Sequence, residues 1–274
     1  METIRGSLRK MKIIADTPAV YALPLGEHEV PLNALLGKSV RLEFTGQITC
    51  TGCGQPTKKS FGEGFCYRCF TTLAQCDLCI VKPELCHFAQ GTCREPQWGL
   101  THCMQPHYVY LANASGLKVG ITRASQIPTR WLDQGAVQAL PVLKVQSRRH
   151  AGLIEVALKQ HVSDRTDWRK MLKGDPELHD LPTQRGELLS RCEQSLTQIS
   201  AETSNEALTV LEQETVRAFA YPVLQYPTRV TALNLDKTPC VEGTLLGIKG
   251  QYLILDTGVL NVRKFTGYQV AVSV

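Results

Sequence analysis

No run of about 18 consecutive apolar residues occurs in the 274-residue chain, so nothing in it reads as a membrane-spanning helix. The stretch from Met1 to Gly6 lacks the apolar core of a secretory signal, and a cytoplasmic protein with reduced thiols is the expectation. The phosphate loop GxxxxGKS/T, the nucleophile elbow GxSxG and the dinucleotide fingerprint GxGxxG are all missing. Nucleotide hydrolysis, serine-hydrolase chemistry and dinucleotide binding therefore have no motif behind them. There is no internal repeat and no low-complexity linker. Aromatic residues are only 7% of the chain, but 43% hydrophobic and 20% charged residues are ordinary for a folded domain and exclude extended disorder.

Cysteine is what the chain has in excess. Nine of its eleven cysteines fall between Cys50 and Cys103, in a stretch rich in Gly and Pro with too little apolar material for a core of its own. In a reducing compartment such cysteines are metal ligands before they are cross-links. Cys50-x2-Cys53-x12-Cys66-x2-Cys69 supplies two CxxC knuckles that can converge on one tetrahedral zinc. Four thiolates fill the coordination sphere, which makes the site structural. A second set follows: Cys76, Cys79, Cys86, Cys93 and Cys103, with His87, His102 and His107 among them. It is enough for a second metal. Cys76, Cys79, Cys86 and Cys93 form the favoured ligand set, Cys103 can replace any of them, and pairing interleaved with the first set or an iron–sulfur cluster is an alternative. Between the first two knuckles Lys58, Lys59 and Phe61 sit at a hairpin tip. They could contact nucleic acid by charge and stacking, or form a solvated turn. Cys192 and Cys240 stand alone and are expected to be buried.

The patterning predicts an α+β protein in five parts. Residues 1–48 form an N-terminal β segment, where Val40 to Phe44 alternate apolar and polar. Residues 49–106 are the zinc-ribbon-like segment. Residues 107–175 read as strand, turn, strand, helix, strand, helix: Tyr108–Ala112, a turn at Asn113–Gly116, Leu117–Thr122, a helix opening at Pro128, Val142–Val145, and a helix from His150 to Val162. Residues 176–222 are helical, with Leu188, Leu189, Cys192, Leu196 and Ile199 on one stripe and a break at Ser200–Asn205. Residues 223–274 form a small β unit that can pair with the N-terminal strands. Asp167 is positioned to cap a short helix running to Leu172.

Within 107–165 the order of motifs resembles the GIY-YIG nuclease family. Tyr110 corresponds to the Tyr of the first motif, Gly120 to the Gly of the second, Arg130 to the helix Arg, and Glu155 to the metal-binding Glu. Two departures stand out: Tyr108 replaces the leading Gly, and Lys118 replaces the second-motif Tyr that often belongs to the catalytic group. The joining of such a core to a Cys-rich segment is similar to an uncharacterised bacterial family. The resemblance implies a GIY-YIG-like mixed sheet with helices and a metal-dependent phosphodiesterase acting on DNA or RNA.

The chemistry can be put together independently: Tyr110 to deprotonate or position water, Arg130 to clamp a phosphate, and Glu155 to hold magnesium through hard oxygen. Glu155 shares a helical stripe with Ala151, Leu158 and Val162, where an unpaired carboxylate is costly. It is either a functional group facing a cleft or a structural partner of Arg130. Lys118, Arg123, Arg148 and Arg149 are candidate phosphate contacts. Lys144–Lys173 carries a local charge of +5 and Gly174–Thr215 a local −7, either a polarised nucleic-acid-facing surface or two solvated helix faces. The alternatives to an endonuclease are a non-catalytic nucleic-acid-binding protein with a degenerate site and a zinc-stabilised interaction scaffold.

Overall fold

A computed structural model describes residues 3–203 and 208–274. It is a mixed α+β structure. The predicted break at Ser200–Asn205 lies partly outside the described residues. The alternating segment Val40–Phe44 belongs to the long strand Ser39–Thr49, which buries Val40 and Leu42 and turns Arg41 and Glu43 outward into an ion pair at 3.0 Å. Period-two alternation requires this division of faces. On one side the strand pairs with Tyr268–Ser273, which in turn pairs with Thr3–Ser7. On the other it pairs with Cys240–Lys249, followed by Tyr252–Leu255 and Gly258–Asn261. Thr3–Ser7 and Ser39–Thr49 thus join the C-terminal β unit in one antiparallel sheet. Its core, including Leu23, Leu42, Leu245 and Phe265, also buries the small sheet Lys12–Ile14, Val20–Leu25 and His28–Pro31.

A second antiparallel sheet is centred on His107–Asn113, with Leu117–Arg123 on one side and Gln138–Val145 on the other. Val109 and Leu111 face the helix Arg148–Leu158, which inserts Ala151, Ile154 and Leu158. Tyr110 and Ala112 belong to a different cluster with Trp131, Met171, Ile254 and Val259, which links this sheet to the C-terminal hairpin. The helix ends at Leu158, four residues before the expected Val162. The strand begins at Gln138, four residues before the expected Val142. Asp167 caps Trp168–Met171 by accepting from the N–H groups of Arg169 and Lys170.

The region expected to be helical, residues 176–222, is divided. Helices Leu181–Arg191 and Glu193–Glu202 carry the Leu188, Cys192 and Ile199 stripe into the core. The chain breaks at Cys192, whose N–H is shared between the carbonyls of Leu188 and Leu189. Thr209–Val210 and Arg217–Ala218 are instead short strands on the free edge of Gln138–Val145. An unpaired edge offers a row of backbone donors and acceptors, and pairing with it outweighs weak helical periodicity.

The Cys-rich segment is built differently. Among the described residues, none between 49 and 106 belongs to any of the three hydrophobic clusters. Its elements are short: helices Tyr67–Thr72, Leu78–Val81 and Pro96–His102, joined by single turns. It docks on helix Arg148–Leu158 at Gly152, where a β-carbon would lie 2.5 Å from Pro83 and 2.8 Å from the backbone nitrogen of Glu84. Only glycine allows this approach.

Candidate metal centre and cleft

Cys50 follows directly on strand Ser39–Thr49, and the turn beyond it closes through the Gly54 N–H to the Cys50 carbonyl at 2.9 Å. Cys66 is the N-cap of helix Tyr67–Thr72, so Cys69 lies one turn along the same helix. The sulfurs of Cys50, Cys53, Cys66 and Cys69 all fall within 4.8 Å of one another, and none is in a disulfide. Cys53 Sγ and Cys66 Sγ are 3.9 Å apart. A tetrahedron with Zn–S bonds of about 2.3 Å has an edge of about 3.8 Å, so the spacing suits zinc. The Cys66 N–H donates to Cys50 Sγ at 3.1 Å. Burial opposes ionisation of Cys50, but the backbone N–H groups of Cys66, Cys53 and Gly52 outweigh it and bring the thiol down to about 6. Burial and its three neighbouring thiols push Cys69 up to about 12. Crowded thiols of this kind want a cation among them. Cys50, Cys53, Cys66 and Cys69 therefore form a metal-binding site compatible with zinc.

The later cysteines divide. Cys79, Cys86, Cys93 and Cys103 line one small cavity together with His87, Trp98 and Gly99. Cys76 faces a separate groove shared with Arg9, Lys10 and Phe70. Asp77, Cys79 and His87 also bring ligand atoms within 4.8 Å of one another, although Asp77 is bound to Arg94 at 2.7 Å and caps the Cys79 N–H. His102 stacks on Trp98 at 4.2 Å, and His107 is fully buried at the start of strand His107–Asn113.

Between the Cys-rich segment and the second sheet lies an open cleft. Arg123, Arg130, Arg148 and Glu155 line it, joined by Asp164 and Arg263. Its opposite wall is Ile80, Val81 and Pro83. Arg148 crosses the cleft floor and donates from Nη2 to the Ile80 carbonyl at 2.6 Å. Burial and the neighbouring Asp164 carboxylate raise Glu155 above the usual carboxylate range, against the pull of Arg130, Arg148 and Lys118. Arg263 is ion-paired with Glu63 at the rim.

Two residues expected at a solvent-facing site lie deeper. The Tyr110 ring is fully buried and packs across Gly120, its cross-strand partner, with its hydroxyl donating to Gln134 Oε1 at 2.9 Å. Lys118 is 3% exposed, with Nζ 3.2 Å from Thr166 Oγ1, and burial, seconded by Arg130, lowers it to about 8. Residues 163–166 fold over it, the Val119 N–H donating to the Ser163 carbonyl at 2.8 Å. Lys58 and Lys59 are exposed at the tip between the knuckles, Lys59 lying 5.2 Å over the Phe61 ring, while Arg149 is half-buried and outside the cleft lining.

Comparison with known families adds one fact. Residues 37–270 match the family described as Protein of unknown function (DUF2797). The chain belongs to that family. No curated protein and no solved structure matches it.

The DUF2797 match runs across the Cys-rich segment, the second sheet, the cleft and most of the long strands of the first sheet, so the site is contained within the family's extent. Asp164, Gln134 and the Glu63–Arg263 pair escaped the reading of the sequence. Asp164 gave a local signal, lying nine residues beyond Glu155 in the charge-dense run around Trp168. Arg263 gave none, because it reaches the cleft from the far sheet.

Proposed function

We propose that this DUF2797 protein is a zinc-containing nucleic-acid-binding protein whose cleft takes the phosphodiester backbone of DNA or RNA and hydrolyses it at a GIY-YIG-like centre. The observation that carries the reading is the shared cleft of Arg130 and Glu155, which come from different helices and meet there with Arg123, Arg148 and Asp164. The order of Tyr110, Gly120, Arg130 and Glu155 along the chain supports the family likeness.

Within this reading Arg130 clamps a phosphate oxygen pair, and Arg123 holds a neighbouring phosphate. Glu155 and Asp164 are hard oxygen donors close enough to act on one another, a donor set that suits magnesium. Bound there, magnesium would supply Lewis-acid stabilisation of the developing charge. Tyr110 is a positioning residue: its hydroxyl is committed to Gln134, and burial raises it away from the range of a base at neutral pH. Lys118, standing where the family carries a Tyr, puts a cation under the same centre. Action on DNA or RNA, the five-part division of the chain and a cytoplasmic site of action belong to the same proposal.

The test is cleavage of a panel of single- and double-stranded DNA and RNA with magnesium, using Glu155→Ala and Arg130→Ala as controls. Cleavage lost in both variants supports hydrolysis. Salt-sensitive binding without cleavage points instead to a binding protein, a reading that Lys118 in the second motif and the burial of Tyr110 favour. Absence of binding at low salt would sink both and leave a zinc-stabilised interaction scaffold.

A further inference from the structure

We propose that Cys79, Cys86, Cys93 and Cys103 hold a second zinc ion as a structural tetrathiolate, with Cys76 and His87 outside its ligand set, and that this ion fixes the wall of the cleft.

The first observation is enclosure. Cys79 lies in helix Leu78–Val81, Cys86 and Cys103 close the ends of Pro83–Leu85 and Pro96–His102, and Cys93 sits in a loop, yet all four line the same cavity. Unlike the first set, their sulfurs do not all lie within 4.8 Å of one another, so closing on an ion takes side-chain rotation within the cavity they share. Gly99 brings helix Pro96–His102 against the cluster: a β-carbon there would lie 2.9 Å from the Phe88 ring and 3.4 Å from Cys93 Sγ.

The second observation is what else could hold residues 76–103 together. Leu78, Val81, Leu85 and Leu100 are 58%, 80%, 51% and 43% exposed, so the segment turns its aliphatic side chains outward. A run of single turns with no apolar interior needs another source of cohesion, and metal–thiolate bonds provide it in small domains.

The third observation selects the ligands. Cys76 faces the groove beside Arg9 and Phe70 instead of this cavity. Both ring nitrogens of His87 are engaged: Nδ1 is 2.7 Å from Thr92 Oγ1, and Nε2 is 3.6 Å from Asp77 Oδ1. Asp77 is held by Arg94. The cysteines that remain are the four named.

The fourth observation is charge. Zinc with four thiolates is a dianion, and burying it calls for a cation and N–H donors around it. Arg148 is placed for this. Its guanidinium acts on Cys103 and Cys79, its backbone N–H donates to the Cys103 carbonyl at 2.8 Å, and its buried Nε has no hydrogen-bond partner. A buried guanidinium N–H without an acceptor is costly, and a thiolate of the cluster would supply one. Because Arg148 also ties down the Ile80 carbonyl, the ion and the cleft wall are coupled through one side chain.

The proposal stands apart from the cleavage reading, because its test involves no nucleic acid. Zinc in the purified full-length protein is measured by plasma mass spectrometry, with two ions per chain expected. Cys79→Ser or Cys103→Ser should bring the count to one, whereas Cys76→Ser should leave it at two. For variants that fail to fold, the wild-type protein is alkylated with iodoacetamide before and after chelation and mapped by peptide mass spectrometry. Cys79, Cys86, Cys93 and Cys103 should become reactive only after chelation, and Cys76 should react equally in both states. One zinc per chain in the wild type, or chelator-dependent protection of Cys76 in place of Cys103, overturns the proposal.

Discussion

Replacing Gly120 with alanine tests the close packing at the centre of the second sheet. The new methyl would lie 2.6 Å from both Cζ and Oη of Tyr110 and 3.1 Å from Cε2. Carbon contacts are comfortable at about 3.5–4.0 Å, so the ring must move by about 1 Å. It has nowhere to go: Tyr110 is fully buried, edge-on to Trp131 at 5.8 Å, and tied to Gln134. Overpacking of this kind costs about 1–3 kcal/mol. Breaking the bond to Gln134 adds about 1–3 kcal/mol if the amide stays buried. Against this, removing a glycine from the unfolded chain favours the variant by about 0.4–1 kcal/mol. The net loss is roughly 1–5 kcal/mol, since steric and polar costs together exceed the entropic gain. At about 2–4 °C per kcal/mol, Tm should fall by several degrees at least, measured by scanning calorimetry. Tyr110→Phe removes one of the two nearest atoms, so it should cost less in the Gly120→Ala background than alone. A variant as stable as wild type, or strict additivity of the two substitutions, would refute the packing described.

Other outcomes follow from the same structure. Chelation with verified zinc loss should open residues 50–103 to amide hydrogen exchange while Leu42 and Val270 stay protected; structural zinc in finger peptides supplies about 10–16 kcal/mol, far more than this coreless segment can replace. The lowered value of Lys118, about 8 against 10.5 unfolded, means that the unfolded chain binds more protons between these pH values, so this residue's contribution to stability rises with pH through that window. Lys118→Met should accordingly raise Tm at pH 7 and flatten the rise between pH 8 and 10.5, read as wild type minus variant in parallel melts. Arg130→Ala should weaken binding of a labelled oligonucleotide and reduce the slope of log affinity against log salt by about 1, whereas Glu155→Gln should tighten binding at low salt while removing cleavage; both are read by fluorescence anisotropy.

Much of the fold was legible because periodicity reports burial on one face. The alternation at Val40–Phe44 and the stripe from Leu188 to Ile199 each mark one buried side, and both appear in the structure as such. The CxxC spacing at Cys50–Cys69 was legible because a knuckle is a local geometry. What lay hidden is non-local. Thr209–Val210 and Arg217–Ala218 became strands because an edge was available, which no window of sequence reveals. A lysine at position 118 reads as solvent-facing, and only the return of residues 163–166 buries it. Which cysteines share a cavity also depends on tertiary placement: spacing favoured Cys76 over Cys103, yet it is Cys103 that shares the cavity with Cys79, Cys86 and Cys93. The residues singled out at the cleft lie along one stretch of chain, whereas Arg263 arrives from a different sheet and Glu63 from the Cys-rich segment.

The position of strand Tyr268–Ser273 has a consequence for biosynthesis. It lies between Thr3–Ser7 and Ser39–Thr49, so strand Thr3–Ser7 has no strand partner until Gln269–Ser273 has been made. During translation the long strand Ser39–Thr49 must wait with open edges, a state prone to mispairing between nascent chains. The thiolate knuckles at Cys50–Cys69 immediately follow that strand and can close on metal as soon as they emerge. Metal supply during synthesis would then govern not only the finished segment but how long an aggregation-prone intermediate survives.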